Sequence, residues 1–304
     1  MRKLLAGVFL STFLLSASTA RQTSAQARGP VEAAWWVTIE FKPIDTSIRG
    51  IPVDAIDPTW RLASELKKDF IPRELLYEPG FDLMEEYDHH FSIAGDFNKD
   101  GRTDVALVGV HETIDGERGM FFLILTQNYS GSWEKAFLAQ GVRSSGFSAL
   151  TWRKGCIEVW GCMECDGVSF LRWSPKLKEY IWVPQHSTNH FSAADIEQFE
   201  NELKNDYILD SDARLILAWA YTTYPEYRHN EQLRQRALDY ADKAKTSELI
   251  ENFREAVGAA LYANGKLAEG DAWFDKLTKS DDAYAPYYRE TKENLRELYF
   301  PNPK

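Results

Sequence analysis

The hydrophobic period of the chain changes once, near residues 185–192, and that switch constrains the fold more than any other feature. Upstream, apolar and polar residues alternate in short β-rich runs at 91–95, 105–110, 120–126, 133–138, 147–152, 156–161, 168–173 and 180–183. A period of two is the signature of half-buried strands. Between the runs sit Asp100-Gly101, Asp115-Gly116, Ser130-Gly131, Lys154-Gly155, Asp166-Gly167 and Ser174-Pro175. Such pairs supply the positive-φ positions of tight hairpin turns, so consecutive strands are expected to form an antiparallel meander. Eight strands suffice for two four-stranded blades or one sandwich, not for a closed propeller.

Downstream the period becomes helical. Ser192 is an N-cap for a helix over 193–207, and Ser211 or Asp212 caps the next, which runs through 224. Further helices are predicted over 230–245, 248–264, 267–279 and 286–299, with Pro225, Gly265 and Ser280-Asp281 at the connections. Ahead of the meander, 35–41 reads as a strand. Asp57-Pro58 reads as a helix start for 60–70, and Pro72 as the start of a short helix over 73–77. The expected fold class is therefore α+β in two domains: an antiparallel β meander, blade-like or sandwich, followed by an all-α domain.

The N-terminus carries a targeting pattern. Arg2 and Lys3 precede an apolar stretch at 4–15 and small residues at 16–20. This is the layout of a secretory signal peptide, with cleavage after Ala20 or Ala27, and the stretch is too short to span a bilayer. The expected division is a signal peptide at 1–27, a β-rich domain at 28–188 and a helical domain at 189–304, in a periplasmic or secreted protein. The formal charge of −11 argues against nucleic acid as a partner. No later segment is long and apolar enough for membrane insertion.

The most informative string is Asp96-Phe97-Asn98-Lys99-Asp100-Gly101-Arg102-Thr103-Asp104. Side-chain oxygens fall at positions 1, 3, 5 and 9, Gly sits at 6, and Arg102 at 7 offers its carbonyl. That spacing wraps a chain around a hard cation, so Asp96, Asn98, Asp100, Arg102 and Asp104 are the expected Ca²⁺ ligands. An EF-hand would place Glu at position 12, but Leu107 stands there and both flanks read as strands. An Asx-rich turn holding no ion is the alternative. The stretch from Ile93 to Ala106 resembles the FG-GAP repeat of integrin-type and bacterial exported proteins. In that family the loop holds Ca²⁺ within propeller blades, usually in several copies, of which this chain shows one. The resemblance implies a structural Ca²⁺.

The helical half resembles tetratricopeptide repeats. Ala237, Ala241 and Ala244 match Gly270, Phe274 and Leu277 at an offset of 33, close to the family period of about 34. Leu217-Ala218 matches Val257-Gly258 at an offset of 40, with an insertion at 225–230; Arg254 stands where the family has a large aromatic. A generic helical bundle is the alternative. Such arrays present a concave groove to a peptide or protein, with Arg214, Asn252 and Glu255 as candidate groove residues.

Cys156, Cys162 and Cys165 are an odd set for an exported protein. A bridge between Cys162 and Cys165 would staple a turn; free thiols, a metal site or a redox pair are the other readings. His89-His90, His111-Glu112 and His186-x3-His190 are weak metal patterns, and Glu85, Glu86 and Asp88 form an acidic run. The expected function is an exported, calcium-stabilised interaction protein that binds a protein or peptide through its helical half. The alternative is an exported hydrolase acting on glycans through acidic residues and exposed Trp.

Overall fold

The computed structural model describes residues 35–72, 77–78, 81–142, 146–162, 168–188, 190–204, 210–244, 253–280 and 283–301. Their architecture is α+β, with antiparallel sheets followed by six helices. Each of the eight alternating runs is a strand.

Three short hairpin and helix pieces come first: α1 (Trp35–Thr38), the hairpin β1 (Ser47–Ile48) and β2 (Ile51–Pro52), and α2 (Val53–Ile56). Strand β3 (Trp60–Glu65), the hairpin β4 (Tyr77–Glu78) and β5 (Phe81–Asp82), and α3 (Leu83–Glu86) follow. The first meander is β6 (Ser92–Gly95), β7 (Asp104–Thr113), β8 (Arg118–Gln127) and β9 (Trp133–Val142). The second is β10 (Ala149–Arg153), β11 (Cys156–Trp160), β12 (Val168–Ser174) and β13 (Glu179–Val183). The helices are α4 (Ala193–Lys204), α5 (Asp210–Thr223), α6 (Glu231–Ala244), α7 (Glu255–Ala263), α8 (Leu267–Ser280) and α9 (Ala285–Tyr299).

Residues 60–65 form a strand, not the predicted helix. The Asp57 carboxylate accepts the Thr59 N–H (2.9 Å), closing a local turn instead of capping a helix. Strand β6 pairs only with Asp104–Leu107, so the rest of that edge of β7 is open, and β3 fills it with Ala63 opposite His111. The 35–41 segment is likewise no strand. Its first four residues, Trp35–Thr38, form a single helical turn with Trp36 buried and Val37 and Thr38 both exposed, so burial does not alternate. Of the helix expected over 73–77, Arg73 to Leu76 lie outside the described residues, and Tyr77 pairs as a strand with Asp82.

The layers stack because each sheet is apolar on both faces. Ala106, Val108, Val110, Phe122 and Ile124 of the first sheet meet Leu150, Ile157, Leu171 and Tyr180 of the second in one core. The opposite face of the first sheet, with Trp60, Val105, Leu107, Phe121 and Leu123, is covered by Ile48, Val53 and Ile56. The opposite face of the second sheet, with Phe170, Ile181 and Val183, packs on Tyr262, Phe274, Tyr287 and Leu295 of the helices. A lone bridge between His90 and Leu150 joins the two sheets.

Helices α5 and α6 pair, α7 packs on both and pairs with α8, and α9 packs on α7 and α8. Ser192 and Asp195 form a reciprocal cap at the start of α4: the Ser192 hydroxyl accepts the Asp195 N–H, and the Asp195 carboxylate accepts the Ser192 N–H. Small residues make room for rings here. A Cβ on Gly258 would lie 2.3 Å from the Phe274 ring, and one on Gly270 would lie 2.5 Å from the Tyr262 ring.

Candidate functional site

The acidic loop joins β6 to β7 and folds on its own side-chain oxygens. The Asp96 carboxylate accepts the N–H groups of Asp100 (3.0 Å) and Gly101 (2.9 Å). Asn98 Oδ1 accepts the Asp100 N–H (2.9 Å), and Asp100 Oδ1 accepts the Arg102 N–H (2.9 Å). Lys99 and Gly101 both adopt positive φ, +60° and +83°, which is where the loop reverses and why Gly stands at its sixth position. The Arg102 guanidinium donates to Asp100, and this bond holds the Asp100 carboxyl below its ordinary pKa. Arg102 also lies 5.0 Å over the ring of the exposed Tyr129, at the β8–β9 turn.

Asp104 is placed differently from the other acids. Its side chain is fully buried, and four donors converge on it. Oδ2 accepts the N–H groups of Phe97 (2.9 Å) and Asn98 (3.2 Å) and the Tyr180 hydroxyl (3.2 Å). Oδ1 accepts the Thr126 hydroxyl. Burial, reinforced by the Asp104 charge, pushes the Tyr180 phenol well above its ordinary pKa. This carboxylate pins the loop to β8 in its own sheet and to β13 in the other.

The structure thus brings Asp96, Asn98 and Asp100 together at the surface and turns Asp104 inward. As donors for a hard cation, Asp96, Asn98, Asp100 and the Arg102 carbonyl are an all-oxygen set of the right chemistry. Among the described residues, no group of three or more His, Cys, Asp or Glu side chains is placed to hold a metal ion. The set at the loop relies on an amide and a carbonyl beside two carboxylates.

A cleft of about 450 Å³ opens beside the loop, lined by Asp88, His90, Ser92, Asp96, Phe97 and Trp152 together with residues 93–95 of β6. Trp152 is 42% exposed and packs on Phe97, ring centroids 4.7 Å apart. Asp88 sits at φ +54°, a left-handed conformation that Asp tolerates better than most residues. Its carboxylate meets His90 Nε2 at 3.1 Å and the Arg153 guanidinium at 3.7 Å. Sequence reading did not assemble this cleft, because its walls come from segments some sixty residues apart. The one available signal was Trp152 on the outward side of its strand.

The remaining sequence candidates are scattered. His89 is buried between Tyr87 and Trp160, while His90 points into the cleft. His111 stacks on Trp60 at 4.7 Å, and Glu112 is held by Arg61 and Arg118. His186 stacks on Phe253 and His190 on Tyr224. None of these pairs forms a joint site. Cys162 is disulfide-bonded, Cys165 lies outside the described residues, and Cys156 is a free, buried thiol whose pKa burial raises.

The groove candidates also change character. Glu255 is buried where the helices meet the segment after β13, bonded to His186 (2.5 Å) and to the Tyr287 hydroxyl (2.8 Å). Burial alone would raise its pKa; the adjacent His186 ring and these bonds hold it below the ordinary value. Arg214 is half-buried on α5, and Asn252 lies outside the described residues. Among the described residues, no helix is long and apolar enough to cross a membrane. Compared with known proteins, the chain matches no family model, no curated protein and no solved structure.

Proposed function

We propose that the protein is an exported, non-catalytic binding protein whose acidic loop is stabilised by Ca²⁺ and whose ligand surface lies at the loop end of the two sheets. The observation that carries this reading is the tie from Asp104 to Thr126 and Tyr180. It makes the loop a rigid part of both sheets and leaves Asp96, Asn98 and Asp100 at the surface. Ca²⁺ would be held by those three side chains and the Arg102 carbonyl, and its chemistry there is neutralisation of clustered carboxylates. The role is structural: the ion fixes the wall of the cleft.

A protein or peptide captured in a helical groove is the less supported reading. Its candidate Glu255 is buried between His186 and Tyr287, and Tyr262 on the same helix packs into the core shared with the second sheet. The glycan-hydrolase reading would need a free acid and base in the cleft. Asp88 is engaged by His90 and Arg153, and Asp96 by its own loop.

The test of the metal is thermal. Ca²⁺ at about 100 times its Kd should add roughly 3 kcal/mol of stability, raising Tm relative to EDTA. The double variant Asp96→Ala, Asp100→Ala should abolish that difference. A parent chain whose Tm is the same in Ca²⁺ and in EDTA would sink the metal reading.

A further inference from the structure

We propose that the cleft beside the acidic loop is a saccharide-binding site, with Trp152 as the platform for a sugar ring; this rests on the loop-end binding reading above. The cleft, about 450 Å³, falls in the size range of small-ligand sites. Its lining is divided as a pyranose requires. One wall is the indole of Trp152, 42% exposed and backed by Phe97. The electron-rich face of an aromatic ring attracts the polarised C–H face of a sugar. The rim carries the Asp88 and Asp96 carboxylates, the Ser92 hydroxyl and the His90 ring, acceptors and donors suited to hydroxyl groups.

Charge selects among ligands of that shape. Among the described residues, no Lys or Arg lines the cleft to hold an anion such as phosphate. Beyond the Ca²⁺ proposed at the loop, no second cation is called for, because Asp88 already has Arg153 at 3.7 Å and His90 at 3.1 Å. Asp96 already serves its own loop, through two N–H groups and the Ca²⁺ proposed above. A neutral polyhydroxylated ligand displaces none of these pairs and uses the lone pairs they leave. The left-handed Asp88 is the kind of backbone departure that collects at ligand sites.

The experiment is titration of the full chain with β-1,4-linked tetrasaccharides of glucose, N-acetylglucosamine and mannose, followed by tryptophan fluorescence and calorimetry in Ca²⁺. At least one should bind with Kd below about 10 mM. Trp152→Ala should weaken that binding at least about tenfold, as truncating an aromatic anchor does. Trp152→Phe, which keeps a ring on Phe97, should retain part of the affinity and control for folding. Tyr129→Ala, an exposed residue at the β8–β9 turn that does not line the cleft, should leave it unchanged. No binding of any of the three by a chain that still shows the Ca²⁺-dependent Tm overturns the saccharide proposal and spares the metal reading. Binding indifferent to Trp152→Ala also overturns it. Trp152-dependent binding in a chain with no Ca²⁺ effect on Tm supports the saccharide site and removes the metal alone.

Discussion

Asp104→Ala probes the step from sequence to rigidity most directly. The carboxylate is fully buried and accepts four hydrogen bonds, from Phe97, Asn98, Thr126 and Tyr180. Removing it leaves buried donors without an acceptor, at about 1–3 kcal/mol for each group that water cannot reach. The Asn98 donor is a backbone N–H on a half-buried residue, where water can replace the acceptor, so two or three donors bear the loss. The expected destabilisation is about 3–5 kcal/mol, a large part of the roughly 5–15 kcal/mol that holds a domain together. Tyr180→Phe deletes one of the donors while keeping its ring, and should cost about 1 kcal/mol. In the double variant the two losses should couple by at least about 0.5 kcal/mol. The assay is urea unfolding by tryptophan fluorescence, run in Ca²⁺ and in EDTA. A loss below about 1 kcal/mol in EDTA would refute the reasoning, since the network needs no metal. A loss seen only in Ca²⁺ would show that Asp104 acts as a ligand instead.

Two further predictions concern pH and packing. His89 is buried, and burial, aided by the Arg153 charge, lowers its pKa to about 4. An unfolded His binds its proton below about 6.5. Between pH 6.5 and 4 the unfolded state therefore holds more protons, and stability falls as pH drops through that window, by at most about 3 kcal/mol. His89→Phe should flatten that part of the stability–pH curve, and an unchanged slope would assign it to other groups. Gly258→Ala should destabilise by about 1–3 kcal/mol because its Cβ would meet the Phe274 ring. Ala would otherwise gain about 1 kcal/mol in helix propensity, so a rise in Tm would show that the ring yields easily.

What was legible in the sequence was whatever local chemistry decides. The eight strands announced themselves through alternation and Gly-containing turns, and α4 through the Ser192–Asp195 cap. Strand β3 was not legible. Its residues fit a 3.6-residue stripe, and the edge it fills exists only because β6, some thirty residues later, stops short along β7. The loop shows the same divide. The spacing of Asp96, Asn98, Asp100 and Gly101 is local and readable. That Asp104 faces inward depends on Thr126 and Tyr180, 22 and 76 residues away in the chain. The cleft needs His90 and Trp152 brought together by the bridge between His90 and Leu150, and no periodicity encodes that meeting.

The junction of sheet and helices determines how any partner experiment must be built. Phe170, Ile181 and Val183 on the second sheet are buried against Tyr262, Phe274 and Tyr287. At the edge of that apolar contact Glu290, itself buried, accepts from Arg172 and from the Ser174 hydroxyl (2.7 Å). Glu255 lies buried nearby between His186 and Tyr287. A buried carboxylate is tolerated only with its partners in place, so these two acids fix one docking geometry of helices on sheet. Cutting the chain near residue 188 would expose the sheet's apolar face and strand Arg172 and His186 without their carboxylates. A ligand lost by such a truncated chain would therefore say nothing about where it binds. The helices act here as a brace whose inner side already has an occupant, the chain's own second sheet. Binding at the proposed loop-end surface must be mapped by point variants on the intact protein.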